Sequence, residues 1–267
     1  MRLRASSLAA RGLSTLILTL ATLLGGIAFL YPFFLPQRSS PTQSFMAHSA
    51  DAPFTFLILL FLCLVVVIAN LETRQMDSKL IAVLGILVAI NASLRLIPGP
   101  AGFTAMLFLP ILCGYSFGPD FGFLLGALSM LVSAIITGGM GPWLPYQMFS
   151  VGWMGMASAW LPPLGRLGRV EILLLAVWGA GLGLLFGAIM NLWFWPYLIN
   201  AGQSDASWQP GSGLWPALTK YATFYLTTSL WWDMGRAVGN FLLILLFGAP
   251  ILRLLRRFQR RFRFEMA

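Results

Sequence analysis

Asp233, Arg236 and Asn240 are spaced i, i+3, i+7, so a helix through them carries a carboxylate, a guanidinium and an amide on one face. Two chemistries follow: an internal ion pair that neutralises itself, or a group that binds a polar ligand. Gly179, Gly183, Gly187, Asn191 and Trp195 stand four apart on an earlier segment, three glycines suited to close packing followed by an amide and an indole. Arg95 stands near the end of another apolar run and either snorkels to headgroups or points inward at an anionic group. The stretch Ile136–Gln147, broken by Gly138, Gly139, Gly141, Pro142 and Pro145, cannot form a regular helix, yet it offers Trp143 for stacking and Tyr146 and Gln147 for hydrogen bonds. Irregular backbone at a bilayer edge is tolerated where it faces water, a cavity or protein. It therefore reads as part of the mouth of a small-molecule site. Arg95, Trp143, Tyr146, Gln147, Asn191, Trp195, Asp233, Arg236 and Asn240 form the candidate binding set.

No catalytic constellation accompanies them. The single histidine, His48, sits in a polar loop, and the chain holds no Gly-x-x-x-x-Gly-Lys-[Ser/Thr], His-Glu-x-x-His or Gly-x-Ser-x-Gly segment. Neither a metal nor a catalytic cofactor is expected. Uphill movement of a solute would draw on an ion gradient or a separate ATPase. Cys63 and Cys113 fall inside apolar segments and read as core rather than disulfide or zinc ligands.

The elements that position these residues follow from composition: 58% hydrophobic and 9% charged is the balance of a polytopic helical membrane protein. Spans are predicted at Leu13–Leu35, Phe54–Leu71, Leu80–Ile97, a short kinked Phe103–Phe117 holding Pro110, Phe121–Thr137, Trp143–Leu161, Val170–Trp195 and Leu230–Leu252, about eight in all. Arg2, Arg4 and Arg11 before the first give it the outline of a signal peptide, but its length suits a span and the chain near Ala50 is a poor cleavage site. Leu214–Ser229 is either an interfacial helix or the extended start of the last span.

The formal charge of +9 is explained by membrane orientation rather than nucleic acid. Arg2, Arg4, Arg11, Arg74, Lys79, Arg166, Arg169 and the arginines from Arg253 to Arg263 fall on the side of both termini; Arg38, Arg95, Lys220 and Arg236 fall on the other. This places the termini in the cytoplasm and the Gly138–Gln147 loop outside. The tail from Arg253 alternates arginine with Phe and Leu, as a helix on anionic lipid or a docking segment does. Trp193, Trp195, Trp208, Trp215, Trp231 and Trp232 crowd the outer side, an asymmetry that favours an aromatic-lined pocket over a simple interfacial belt. Ala82, Gly85 and Ala89 form a small-residue face for another helix, from this chain or a partner subunit.

From Leu80 to the C-terminus the chain resembles the substrate-specific S component of an energy-coupling factor (ECF) vitamin transporter. The resemblance rests on Asn91-Ala-Ser-Leu-Arg95, the Phe103–Phe117 segment, Phe121-Gly-Phe-Leu-Leu-Gly126, Gly138-Gly-Met-Gly-Pro-Trp-Leu-Pro-Tyr-Gln-Met148 and Gly152-Trp-Met-Gly155. It implies an all-α, six-helix substrate-binding domain over 80–252, preceded by an extra transmembrane hairpin over 1–79 and followed by a basic tail over 253–267. It further implies a multi-pass subunit of a prokaryotic cytoplasmic membrane that captures a vitamin, with cobalamin or a related corrinoid the first expectation and a queuosine precursor or another heterocyclic vitamin the alternative that suits the aromatic lining as well. A transmembrane coupling subunit and two cytoplasmic ATPases would complete the importer. The family meets the coupling subunit through Ala-x-x-x-Ala; here the match is Gly85-x-x-x-Ala89. Two competing readings are a self-sufficient ion-coupled carrier, disfavoured by the lack of internal repeats, and a membrane enzyme using Asp233 or Asp120 on lipid-linked substrates.

Overall fold

A computed structural model describes residues 2–34, 50–72, 78–97, 99–164, 168–197, 206–208, 211 and 213–263. Arg38, His48, Arg74 and Arg166 lie outside the described residues. Regular structure among those described is entirely helical, as lipid requires of a chain that must satisfy its own backbone. The helices are α1 (Arg2–Leu30), α2 (Ala52–Glu72), α3 (Ser78–Leu94), α4 (Phe108–Phe117), α5 (Pro119–Thr137), α6 (Leu144–Ser158), α7 (Arg169–Phe194), α8 (Leu214–Phe224) and α9 (Leu230–Arg263). Gly12–Phe34, Pro119–Thr137, Arg169–Tyr197 and Leu214–Gln259 are each long and apolar enough to cross a membrane alone.

One expectation changes and one open alternative is decided. The predicted kinked helix from Phe103 begins only at Phe108, so Pro110 falls in its first turn, where a missing N–H is tolerated. At ten residues α4 is about 15 Å long, roughly half the hydrocarbon thickness. Leu214–Ser229 is the extended start of the last helix: α8 joins α9 through a π-turn at Tyr225–Ser229, in which the Leu230 N–H reaches back to the Tyr225 carbonyl.

The core gathers around α6. A side chain at Gly122 would meet the Gly155 carbonyl oxygen at 2.5 Å, and one at Gly155 would meet that of Gly122 at 2.2 Å. These helices touch backbone to backbone, the contact that substitutes for a hydrophobic driving force between helices in lipid. Gly85 on α3 has nothing within 4 Å; with Ala82 and Ala89 it is exposed, so no described helix of this chain covers that face.

The hairpin of α1 and α2 lies against the bundle along a helical stripe: Ser14, Ile17, Leu18, Ala21, Ala28 and Phe29 of α1 are buried. It is pinned at both ends. The Ser14 hydroxyl donates to the Asp120 carboxylate at the start of α5, and the Tyr146 hydroxyl donates to Asp51 Oδ2 at 2.7 Å. At the end of the bundle remote from Trp143, the Tyr115 hydroxyl accepts from the Leu164 N–H (2.9 Å) and donates to Glu171 Oε1 (2.5 Å). Glu171 also pairs with Arg256, which ties α4, α7 and α9 together.

Glycine substitutions separate the two kinds of small-residue face. Gly155→Ala should destabilise the protein by about 1–3 kcal/mol through overpacking, whereas Gly85→Ala should be neutral or gain up to about 1 kcal/mol of helix propensity. Thermal unfolding of the purified variants in detergent measures both.

Candidate functional site

The α5–α6 loop is shaped by two glycines. Gly138 adopts φ 66° and ends α5 in a left-handed turn, a conformation that costs glycine nothing. Gly141 lies under the Trp143 ring, where a β-carbon would sit 2.4 Å from it. The Trp143 indole N–H turns back to the Gly139 carbonyl (3.3 Å), and its ring meets Trp193 edge to face at 6.4 Å. Pro145 falls in the first turn of α6, which brings Gln147 round beneath Trp143.

α7 and α9 are set by the four-residue glycine repeat. A β-carbon at Gly183 would lie 3.1 Å from the Ala237 backbone, and one at Gly187 would overlap the Asp233 carboxylate. The repeat is therefore a packing face, and one turn beyond it Asn191 comes level with the start of α9. There a cavity of about 380 Å³ opens, lined by Trp143 and Gln147 from the loop and α6, Gly187, Met190, Asn191, Trp193 and Phe194 from α7, Thr228 and Ser229 from the π-turn, and Trp232, Asp233 and Arg236 from α9.

Of the residues selected from sequence, Trp143, Gln147, Asn191, Asp233 and Arg236 line this cavity, and four do not. Tyr146 is fully buried behind it, edge-on to Phe29 of α1 at 4.9 Å. Trp195 donates its indole N–H to the Ala206 carbonyl (2.9 Å) and belongs to a separate cluster with Trp208 and Phe224. Asn240 donates to the Gly179 carbonyl (3.1 Å), within the α7–α9 seam. Arg95 is half-buried and donates to the Ser133 hydroxyl (3.3 Å), joining α3 to α5. Met190, Phe194, Thr228 and Ser229 were not selected. The last two face the cavity through the π-turn, whose phase no search at helical period would find.

Asp233 and Arg236 pair with each other, and the guanidinium also lies 5.3 Å from the centre of the Phe186 ring. The pair is the internal one that the sequence allows, and it also lines the cavity. Asn191 Nδ2, Gln147 Oε1 and the second carboxylate oxygen of Asp233, Oδ2, are buried with no hydrogen-bond partner among the described residues. Buried polar atoms are rarely left so. The cavity thus holds an open donor and open acceptors beside indole rings.

The family whose sequence model matches residues 79–248 is described as the substrate-specific component of an ECF transporter. No curated protein and no solved structure matches the chain.

The ion pair gives a prediction of its own. Arg236→Met strands a carboxylate whose side chain is 3% exposed, and breaking such a pair costs about 3–5 kcal/mol. The Asp233→Leu/Arg236→Met double variant, with no charge left unpaired, should recover most of that loss in thermal unfolding.

Proposed function

The chain belongs to the substrate-specific components of ECF transporters, and on that premise we propose that it captures a vitamin or vitamin precursor in the cavity between α6, α7 and α9. The observation that carries this reading is the pairing of open amide groups on Asn191 and Gln147 with the Trp143 and Trp193 rings in one hollow. Trp143, at the loop, controls entry, and the Asp233–Arg236 pair forms part of the wall.

Orientation rests on charge. Tyr115 and its partners mark the end where the described basic residues Lys79, Arg169, Arg253, Arg256 and Arg257 fall, which by the positive-inside rule is the cytoplasmic end. The cavity then opens outward, and both termini are cytoplasmic. Import would be driven by two cytoplasmic ATPases acting through a transmembrane coupling subunit. The exposed Ala82–Gly85–Ala89 face of α3 is the surface we assign to that subunit, because small residues that no described helix covers admit a close helix. The chain itself acts as a binding subunit, not as an enzyme.

Mass spectrometry of small molecules carried through purification should reveal one bound compound. Trp143→Ala and Asn191→Ala should each weaken its binding about ten- to thirtyfold while expression and thermal stability stay close to normal; unchanged affinity in both would remove the proposed site. In liposomes the lone chain should bind the compound but not accumulate it. Accumulation without ATPase partners would favour the ion-coupled carrier.

A further inference from the structure

Tyr146, selected from sequence yet absent from the cavity wall, touches that wall from behind. Resting on the reading that the cavity is the binding site, we infer that Asp51 and Tyr146 are positioning residues through which the α1–α2 hairpin holds the Gln147 and Trp193 side of the site. Neither lines the cavity; both act through residues that do. The family model begins at residue 79, so this support comes from outside the matched segment.

The start of α6 has little support of its own. Its N-cap, Trp143, makes no side-chain cap hydrogen bond, and Pro145 in the first turn brings no N–H. A helix end with so few backbone bonds depends on its side chains for position. Leu144 and Tyr146 are 2% and 0% exposed, and the Tyr146 hydroxyl donates to Asp51 Oδ2 at 2.7 Å. Gln147 is the next residue and lines the cavity, so the place where Tyr146 is held decides where the Gln147 amide stands.

A line of rings then runs from the hairpin to the mouth. Phe29 of α1 meets Tyr146 edge to face at 4.9 Å, Tyr146 meets Trp193 at 6.4 Å, and Trp193 meets Trp143 at 6.4 Å. Each separation lies within the roughly 4.5–7 Å range in which aromatic pairs attract. The last two rings line the cavity and the first two do not.

The Asp51 carboxylate gathers more than Tyr146. Tyr31, just past α1, also hydrogen-bonds to it, and the Tyr197 hydroxyl, just past α7, meets that of Tyr31. Asp51 itself precedes α2, so one carboxylate draws together the outer ends of α1, α2, α6 and α7. Phe33, two residues beyond Tyr31, packs on Trp195 at 5.8 Å and Trp208 at 5.5 Å. Hydrogen bonds to an ionised group are roughly twice as strong as neutral ones, which suits this group to a helix start without a cap. The hairpin's other fastening, Ser14 to Asp120, lies at the far end of the bundle, and neither residue lines the cavity.

The test is the reaction of the full purified chain, carrying Gln147→Cys as a reporter, with methanethiosulfonate ethylsulfonate, a small water-soluble thiol reagent. Cys63 and Cys113 are buried, and the chain without the reporter gives their background. Asp51→Leu and Tyr146→Phe should each speed labelling about tenfold or more, since each removes the bond that keeps the first turn of α6 closed. The double variant should be no faster than the quicker single one, the mark of two residues acting as one unit. Asp51→Asn keeps an acceptor for the Tyr146 hydroxyl and should label within about twofold of the parent. Ser14→Ala loosens the hairpin at its other end, so it should lower the thermal unfolding midpoint and leave labelling unchanged.

Unchanged labelling in both Asp51→Leu and Tyr146→Phe, no recovery in Asp51→Asn, or equal acceleration in Ser14→Ala would overturn the inference. Tyr146→Phe keeps the buried ring, so the answer does not hang on a variant that fails to fold. With Gln147 intact, Asp51→Leu and Tyr146→Phe should lose most of the co-purified compound that the parent and Ser14→Ala retain; full retention by both would also overturn it. The two levels fail separately. Faster labelling with no compound on any chain removes the binding reading alone, and unchanged labelling with a compound released by Trp143→Ala removes the positioning role alone.

Discussion

Where α9 lies on α7 is decided by side chains that glycine does not have. Gly183 admits the Ala237 backbone, and Gly187 admits the Asp233 carboxylate, so the helices run in contact along one repeat. In lipid, where burying apolar surface between helices yields little, such contact is what holds a seam closed. The cavity begins where the small residues stop. Asn191 continues the four-residue repeat but carries an amide, and with Met190 and Phe194 it faces the start of α9 across open space. Packing and binding are therefore one feature: the stripe that joins the helices also places the first polar group of the site.

Charge follows the same seam. Each carboxylate placed within a membrane-spanning segment needs a partner, since burying one charge at mid-bilayer costs roughly 2.5–3.5 kcal/mol even on insertion scales. Asp233 finds Arg236 at one end of the α7–α9 pair, and Glu171 finds Arg256 near the other. The two ends differ in what surrounds the pair. Around Glu171, Tyr115 bridges to the Leu164 backbone and Gln259 bonds the Ser116 carbonyl, so α4, α7 and α9 are laced together. Around Asp233 the neighbours are indoles, hydroxyls and two amides, each with one buried atom that has no partner among the described residues. One end is fastened and the other is open, which gives the bundle a direction.

Most of this architecture was legible in the sequence because lipid leaves few options. Long apolar runs must be helices, and residues four apart must share a face. Those two rules place Gly179, Gly183, Gly187 and Asn191 on one side of α7, and Asp233, Arg236 and Asn240 on one side of α9. They do not say how far along a shared face an interface gives way to a cavity. Asn240 and Asn191 carry the same group, yet one bonds the Gly179 carbonyl inside the seam and the other opens into the hollow. Tyr146 and Trp195 share that ambiguity: both stand at the aromatic end, and tertiary contacts with the hairpin and with Ala206 draw them away. The role of Gly122 and Gly155 in joining α5 to α6 was visible only as a motif, since a glycine in sequence does not name the backbone it will touch.

The wide turn at Tyr225–Ser229 divides the last rod into two phases. Upstream, Tyr221 bonds the Ala188 carbonyl and Phe224 is buried beside Trp195; downstream, Trp232, Asp233 and Arg236 look into the hollow. One surplus residue, about 100° of rotation, lets a single helix serve both settings. Losing Leu226 or Thr227 from that turn would restore ordinary α-helical winding and swing α8 round the axis, parting Tyr221 from α7 while every amino acid lining the hollow kept its identity. The register of the ring-bearing wall is thus stored in a length, not in a composition, and a single-codon deletion there would be more disruptive than most replacements.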